Sequence, residues 1–215
     1  MIILFDLDGT LIDSTEAILE SFHHTFETHA CKNPSDEEIK ALIGYPLDVM
    51  FADLGVEEDK VWDFVDTYKE HYRKISTQKT ILLDRAREAV HKASTFAVLG
   101  IVTTKTGHYS RILMEHFGLM EYFEVLIGRE DVTEPKPHAE PILKALEAMD
   151  TEGKSIWMIG DTKLDLISAK NAGVNSIAVL SGYDTHETLK EFSNIILCDA
   201  YEAVEHIESM LISHK

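Results

Sequence analysis

Near the start of the chain, Asp6-Leu7-Asp8-Gly9-Thr10 sets two carboxylates one residue apart, directly after the apolar run Ile2-Ile3-Leu4-Phe5. Side chains two apart on a strand point the same way, so Asp6 and Asp8 converge unless the strand stops between them. Two such carboxylates repel, and each resists losing its water. A cation has to sit between them, or one has to hold a proton. A second acidic pair, Asp161 and Asp165, stands four apart at the start of a helical pattern and so faces one side. Asp6 and Asp161 suit a hard divalent cation. Magnesium favours few carboxylates, completed by water and substrate phosphate oxygens. One member of the second pair would ligate the metal while the other orients a bound water or a lysine. Lys136, between Pro135 and Pro137, offers a second positive charge to a phosphate or a carboxylate. Thr103 and Thr104 add hydroxyls at the end of another apolar run.

These groups can meet only if the runs that carry them are neighbours. Five short apolar runs, at 2–8, 96–104, 123–128, 155–161 and 175–182, read as strands buried on both faces, the habit of parallel sheets. Helical patterns at 107–117, 138–149 and 163–172 separate the later ones, which predicts an α/β fold. In open parallel sheets ligands bind at the carboxyl ends of the strands, where the candidate residues stand. The segment from about 14 to 80 holds no strand-like run. Ile18, Phe22 and Phe26 recur at helical spacing, and Asp13 with Glu16 can close that helix start. Ser35 and Glu38 form a second capping-box pattern with Gly44 as a stop, and Val61, Phe64, Val65, Tyr68 and Tyr72 mark a third helix. The expected division is a core of residues 1–13 and 82–215 with a helical cap at 14–81.

The chain has 215 residues, 45% hydrophobic and 27% charged, which is enough to bury an ordinary core. Its net charge of −18 disfavours nucleic acid and anionic membrane as partners. A small anionic substrate remains possible where a metal or local cations receive it. Cys31 and Cys198 read as reduced thiols. Met1 leads into the first strand without a basic region, and no apolar run reaches membrane-spanning length; the expectation is a cytoplasmic protein. The eleven histidines show no paired ligand spacing. Lys105, Lys163 and Arg111 read as ordinary surface charges.

The motif Asp6-Leu-Asp8-Gly-Thr, the strand-end Thr103, Lys136 in a Lys-Pro-x-x-Glu-Pro setting, and Gly-Asp161-Thr-x-x-Asp165 resemble the four ordered motifs of the haloacid dehalogenase superfamily. Asn171-Ala-Gly-Val resembles its usual continuation. The resemblance covers essentially the whole chain and is nearest to the phosphoglycolate phosphatase-like branch. It implies an α/β, Rossmann-like parallel-sheet core with helices on both faces and an all-helical cap inserted after the first strand. It further implies Asp6 as nucleophile and Asp8 as the proton carrier. Mg2+ would be held by Asp6, the Asp8 carbonyl and Asp161, with Asp165 beside them. Thr103, Thr104 and Lys136 would bind phosphoryl oxygens, and the cap loop at Gly44-Tyr45 would face the substrate. The implied partner is a small phosphorylated metabolite, and the implied reaction is hydrolysis of a phosphoglycolate-like monoester by a monomer or homodimer. Pyrophosphate and nucleotide or sugar phosphates are the alternative substrates. A phosphosugar mutase is a further alternative, disfavoured by Ile18 where mutases carry a histidine in the first cap helix. A non-catalytic regulatory homologue is disfavoured because Asp6, Asp8, Lys136 and Asp161 are all present. Two departures stand out: Leu82-Leu83-Asp84-Arg85 replaces a common Pro-Gly turn, and Ala139 stands where a proline is common.

Overall fold

A computed structural model describes residues 1–213. Its strands are β1 (Ile2–Phe5), β2 (Ile12–Asp13), β3 (Ile81–Leu82), β4 (Val98–Val102), β5 (Phe123–Ile127), β6 (Ile156–Gly160), β7 (Asn175–Val179) and β8 (Ile196–Leu197). Its helices are α1 (Thr15–Thr28), α2 (Asp36–Lys40), α3 (Leu47–Asp53), α4 (Val61–Lys79), α5 (Ala86–Ser94), α6 (Gly107–His116), α7 (Glu140–Glu147), α8 (Lys163–Ala172), α9 (His186–Leu189) and α10 (Ala200–Ser213). The chain divides into two compact units, one made of Met1–Asp13 with the chain from Leu82 onward, the other of Ser14–Ile81.

In the first unit, six strands in the order β5-β4-β1-β6-β7-β8 form a parallel sheet. Both faces are covered, so β1 shows no polar alternation. Ile3 and Phe5 pack with Ala89 and Val90 of α5, Leu113 of α6 and Val204 of α10. Ile2 and Leu4 pack on the other face with Ile142 of α7 and Ala169 of α8. From β1 the chain builds outward through β4 and β5, then returns to the other side of β1 for β6 and β7. That reversal opens a crevice beyond the carboxyl ends of β1, β4 and β6.

In the second unit, α1 and α4 pack through aromatic rings, aided by α3. Phe22 lies 4.7 Å from Phe51 and 5.0 Å from Tyr68, centroid to centroid, and Phe26 lies 5.4 Å from Phe64. The Ser35–Glu38 capping box forms at the start of α2. The expected Asp13–Glu16 box does not: Asp13 belongs to β2, α1 starts after Ser14, and Glu16 pairs with Lys79 at 2.7 Å. A carboxylate on a long stem gains more from an ammonium than from a cap already displaced into a strand.

Seven of the described elements escape the sequence pattern: β2, β3, β8, α3, α5, α9 and α10. Helix α3 is too short to show a period, and β8 is a two-residue strand. Helix α5 opens at Arg85, which takes a left-handed φ of 55° where the Pro-Gly turn is missing. Its guanidinium is held by Asp199 at 3.0 and 2.5 Å, which offsets part of the backbone strain. Among the described residues, no helix is long and apolar enough to cross a membrane.

Candidate active site

Strand β1 ends at Phe5, so it stops before the carboxylates rather than running through them. The Asp6 amide still donates to the Ile159 carbonyl at 2.9 Å, which fixes Asp6 to the sheet. The backbone then coils: the amides of Thr10, Leu11 and Ile12 all turn back to the Leu7 carbonyl. Asp6 and Asp8 are therefore not strand neighbours. Asp8 adds only the smallest of the effects acting on Asp6, and Asp8 itself meets Lys105, 3.0 Å from its Oδ2.

The inner part of the site is a closed charge cluster. Lys136 is buried with Nζ 2.5 Å from Asp165 Oδ1, 3.2 Å from the Val102 carbonyl and 2.9 Å from Asp6 Oδ1. The contact with Asp6 is an ion pair whose angles fall outside those of a hydrogen bond, and Asp6 Oδ1 has no hydrogen bond. Burial pushes the Asp6 carboxyl up to about 7; Lys136 pulls it down and Asp165 pushes it up. Burial works against the Lys136 ammonium, yet Asp165 and Asp6 outweigh it and hold its pKa above the usual range. Asp161 is raised well above the carboxylate range, first by burial and then by Asp165 and Asp6.

Each of these side chains is positioned by the loop that carries it. Lys136 sits in a strap before α7, joined to Pro137 by a cis bond. Glu140 accepts the amides of Thr133 and Glu134 at 2.9 Å, Ser168 donates to the His138 carbonyl and Asn171 to that of Pro137. Asp165 closes a capping box with Thr162 at the start of α8, accepting that residue's amide and hydroxyl at 3.0 and 2.8 Å. With Lys136 on Oδ1, both Asp165 oxygens are engaged, so Asp165 orients the lysine rather than facing an open position. Asp161 accepts the Thr10 hydroxyl and the Tyr183 amide, each at 2.9 Å. Gly9, at φ +83°, and Gly182 lie against that carboxylate. A Cβ would come within 2.3 Å of its Oδ2 at Gly9 and within 1.9 Å at Gly182. Ser181 ties the same segment to the Gly9 carbonyl at 2.8 Å. Thr103 is buried after β4, its amide on the Ile127 carbonyl and its hydroxyl accepting the Lys105 amide at 3.2 Å. Thr104 follows it, half-buried.

Asp6, Asp161 and Asp165 bring carboxylate oxygens within 4.8 Å of one another, all three buried. An all-oxygen donor set with one buried oxygen lacking a hydrogen bond fits a hard divalent cation and not a soft one. Gly44 and Tyr45 belong to the other unit, in the turn between α2 and α3, where Gly44 takes φ +108°. Sequence reasoning missed Lys105, Thr10 and the Ser181–Tyr183 segment. Thr10 lay inside a motif already singled out, and Lys105 followed directly on the two threonines. The third segment carried no signal beyond its place at the end of the last strand-like run.

A doubly covered parallel sheet with a buried aspartate–lysine cluster beyond its carboxyl ends defines an α/β protein whose charged site stands at the carboxyl edge of the sheet. The family model of haloacid dehalogenase-like hydrolases matches residues 3–179. A pyrophosphatase PpaX of Bacillus cereus is 34% identical over 181 residues, covering 82% of each chain. One from Halalkalibacterium halodurans is 35% identical over 178 residues, again covering 82% of each. The solved structure of a haloacid dehalogenase-like family protein from Streptococcus pneumoniae superposes with a TM-score of 0.86 at 26% identity, covering 96% of this chain and 97% of that one. The chain belongs to the haloacid dehalogenase-like hydrolase family, and it is a hydrolase of the phosphatase kind.

Proposed function

We propose that this chain is a magnesium-dependent phosphatase acting on a small phosphorylated metabolite through an aspartyl-phosphate on Asp6. The observation that carries the reading is the Asp6–Lys136–Asp165 cluster: a buried carboxylate, held at 2.9 Å from an ammonium that a second carboxylate fixes. In the first half-reaction an Asp6 oxygen attacks phosphorus, the bond from phosphorus to the leaving oxygen breaks, and Asp8 gives its proton to that oxygen. In the second, Asp8 takes a proton from water, which attacks the same phosphorus, releasing inorganic phosphate and the Asp6 carboxylate. Lys136 and the Thr103 hydroxyl hold the phosphoryl oxygens, with Thr104 beside them. Asp6, the Asp8 carbonyl and Asp161 would hold Mg2+, with Asp165 supporting through Lys136; the ion supplies positive charge where phosphoryl oxygens and carboxylate would otherwise repel. Residues 14–81 act as a cap, with Gly44 and Tyr45 selecting the substrate.

Two substrates suit the site. A phosphoglycolate-like monoester fits the resemblance in the motifs, while the relatives named pyrophosphatase, at 34 and 35% identity, favour pyrophosphate. The test is phosphate release from an aryl phosphate, phosphoglycolate, pyrophosphate, sugar phosphates and nucleoside monophosphates, with magnesium and with chelator. Magnesium-dependent release that Asp6→Asn abolishes is expected. Release that survives the Asn variant would overturn the aspartyl-phosphate route.

A further inference from the structure

The segment after β7, Ser181 to Asp184, lies outside all four sequence motifs, yet it is fastened to the chain around Asp161. The Ser181 hydroxyl donates to the Gly9 carbonyl at 2.8 Å, and the Tyr183 amide donates to Asp161 Oδ2 at 2.9 Å. One residue on, Asp184 Oδ2 accepts the amide of Lys163, the first residue of α8, at 2.6 Å. Consecutive residues thus grip the two ends of one turn. Tyr183 holds the side chain of Asp161, and Asp184 holds the backbone two residues beyond it.

A carboxylate at the opening of α8 satisfies one of the amides a helix start leaves unpaired and meets the positive end of the helix dipole. Asp165 accepts the Thr162 amide, so the two acids divide that opening turn between them. Beyond Asp184 the anchoring is apolar: Leu189 of α9 is fully buried with Leu166 of α8 and Ala178 of β7. What this holding does follows from charge. One oxygen of Asp161 stands within 4.8 Å of one each from Asp6 and Asp165, all three residues buried. Like charges at that range push apart, and a carboxylate free to rotate would turn away from the other two. The Thr10 hydroxyl on Oδ1 and the Tyr183 amide on Oδ2 oppose that rotation from both oxygens. The amide is only as well placed as the segment that carries it.

Resting on the metal assignment in the reading above, we infer that Asp184 is a positioning residue for the metal site. By holding the 181–184 segment on the first turn of α8, it keeps the Tyr183 amide on Asp161 and that carboxylate turned toward Asp6. Asp184 acts through Asp161 rather than on the ion, and its contribution is to fix a ligand in place before the ion binds.

The metal alone tests this, in the full chain and without turnover. Magnesium is titrated into the wild type, Asp184→Ala, Asp184→Asn and Lys163→Pro, and Tm is followed from chelator to saturation. Tm in chelator reports the fold, and its rise with magnesium gives Kd. Ala removes the acceptor, whereas Asn keeps an oxygen that accepts the Lys163 amide. Lys163→Pro deletes the donor instead, at the first helical position, where proline is well tolerated; Thr162 before it is already extended, at φ −119° and ψ 155°. Kd is expected to rise about tenfold in Asp184→Ala and in Lys163→Pro, and to stay within about threefold of wild type in Asp184→Asn. Combining Ala and Pro should add little to either alone, because both remove one contact. A residue that only caps α8 would lower Tm in chelator and leave Kd alone, which would overturn the inference. Equal weakening by Asn and Ala would overturn it too, since the effect would then belong to the charge and not to the held segment. A wild type that binds no magnesium would overturn the metal assignment and this inference with it. A chain that binds magnesium without turnover would overturn the phosphatase reading alone.

Discussion

Replacing the buried carboxylate by its amide, Asp6→Asn, is expected to stabilise the metal-free protein while removing its activity. Burial moves the Asp6 carboxyl from 3.8 to about 7, which costs the folded state about 4 kcal/mol once the group is ionised. Asn keeps the shape and drops the charge. Lys136 loses one partner but retains Asp165 at 2.5 Å and the Val102 carbonyl at 3.2 Å. The value of about 7 already includes the pull of Lys136; setting about 2 kcal/mol against the buried Asn amide, which gains no new partner, leaves a net gain of about 2 kcal/mol. In a chain of this length that raises Tm by about 4–8 °C. Because the folded-state value is raised, the contribution of Asp6 to stability is complete below 3.8 and is lost as pH rises through about 7. Wild type in chelator should therefore lose stability from pH 5 to pH 8 relative to the variant, and the gap should widen by about 2.6 kcal/mol over that range. Asp161 is raised in part by Asp6, so the variant also relieves Asp161 and the gap widens in the same direction. Thermal melts in EDTA at several pH values measure the gap. An Asn variant that melts below wild type at pH 8, or a gap that does not change with pH, would show that the buried Asp6 charge does not destabilise the metal-free fold.

Gly182→Ala would bring a Cβ to 1.9 Å from Asp161 Oδ2, so either the carboxylate or the 181–183 segment must move. Magnesium affinity should fall by about tenfold or more, as for other groups that orient a ligand, and magnesium-dependent shifts in Tm measure it; an unchanged titration would count against Asp161 as a ligand. Lys136→Met leaves Asp6 and Asp165 facing each other in a buried site, at a cost of about 3 kcal/mol at pH 8. Urea midpoints in chelator should show a smaller loss at pH 6, where Asp6 takes up a proton; equal losses at both pH values would contradict the charge balance drawn here.

The sheet and its site were legible in the sequence to different depths. Strand-like runs ending in Asp6, Thr103 and Asp161 marked the carboxyl edge, because a strand buried on both faces tolerates only apolar residues and its polar end is conspicuous. The helical segment 14–81 showed itself by period alone. Helix α3 and strand β8 are shorter than any period, and packing rather than pattern holds them. Arg85 follows the same logic: its left-handed backbone depends on Asp199, more than a hundred residues away.

The amino-acid pattern alone singled out the candidate groups: the paired aspartates, the lysine between prolines and the acidic pair opening a helix. Their types and local spacing are properties of the chain. The partition of their charges follows from the folded arrangement alone. Asp6 and Asp8, which looked destined to repel each other, are separated where β1 stops, and each receives its own lysine, Lys136 inside and Lys105 nearer solvent. Those pairings join residues 97 and 130 positions apart, with electrostatics set by burial, and neither distance nor burial is written in any local stretch.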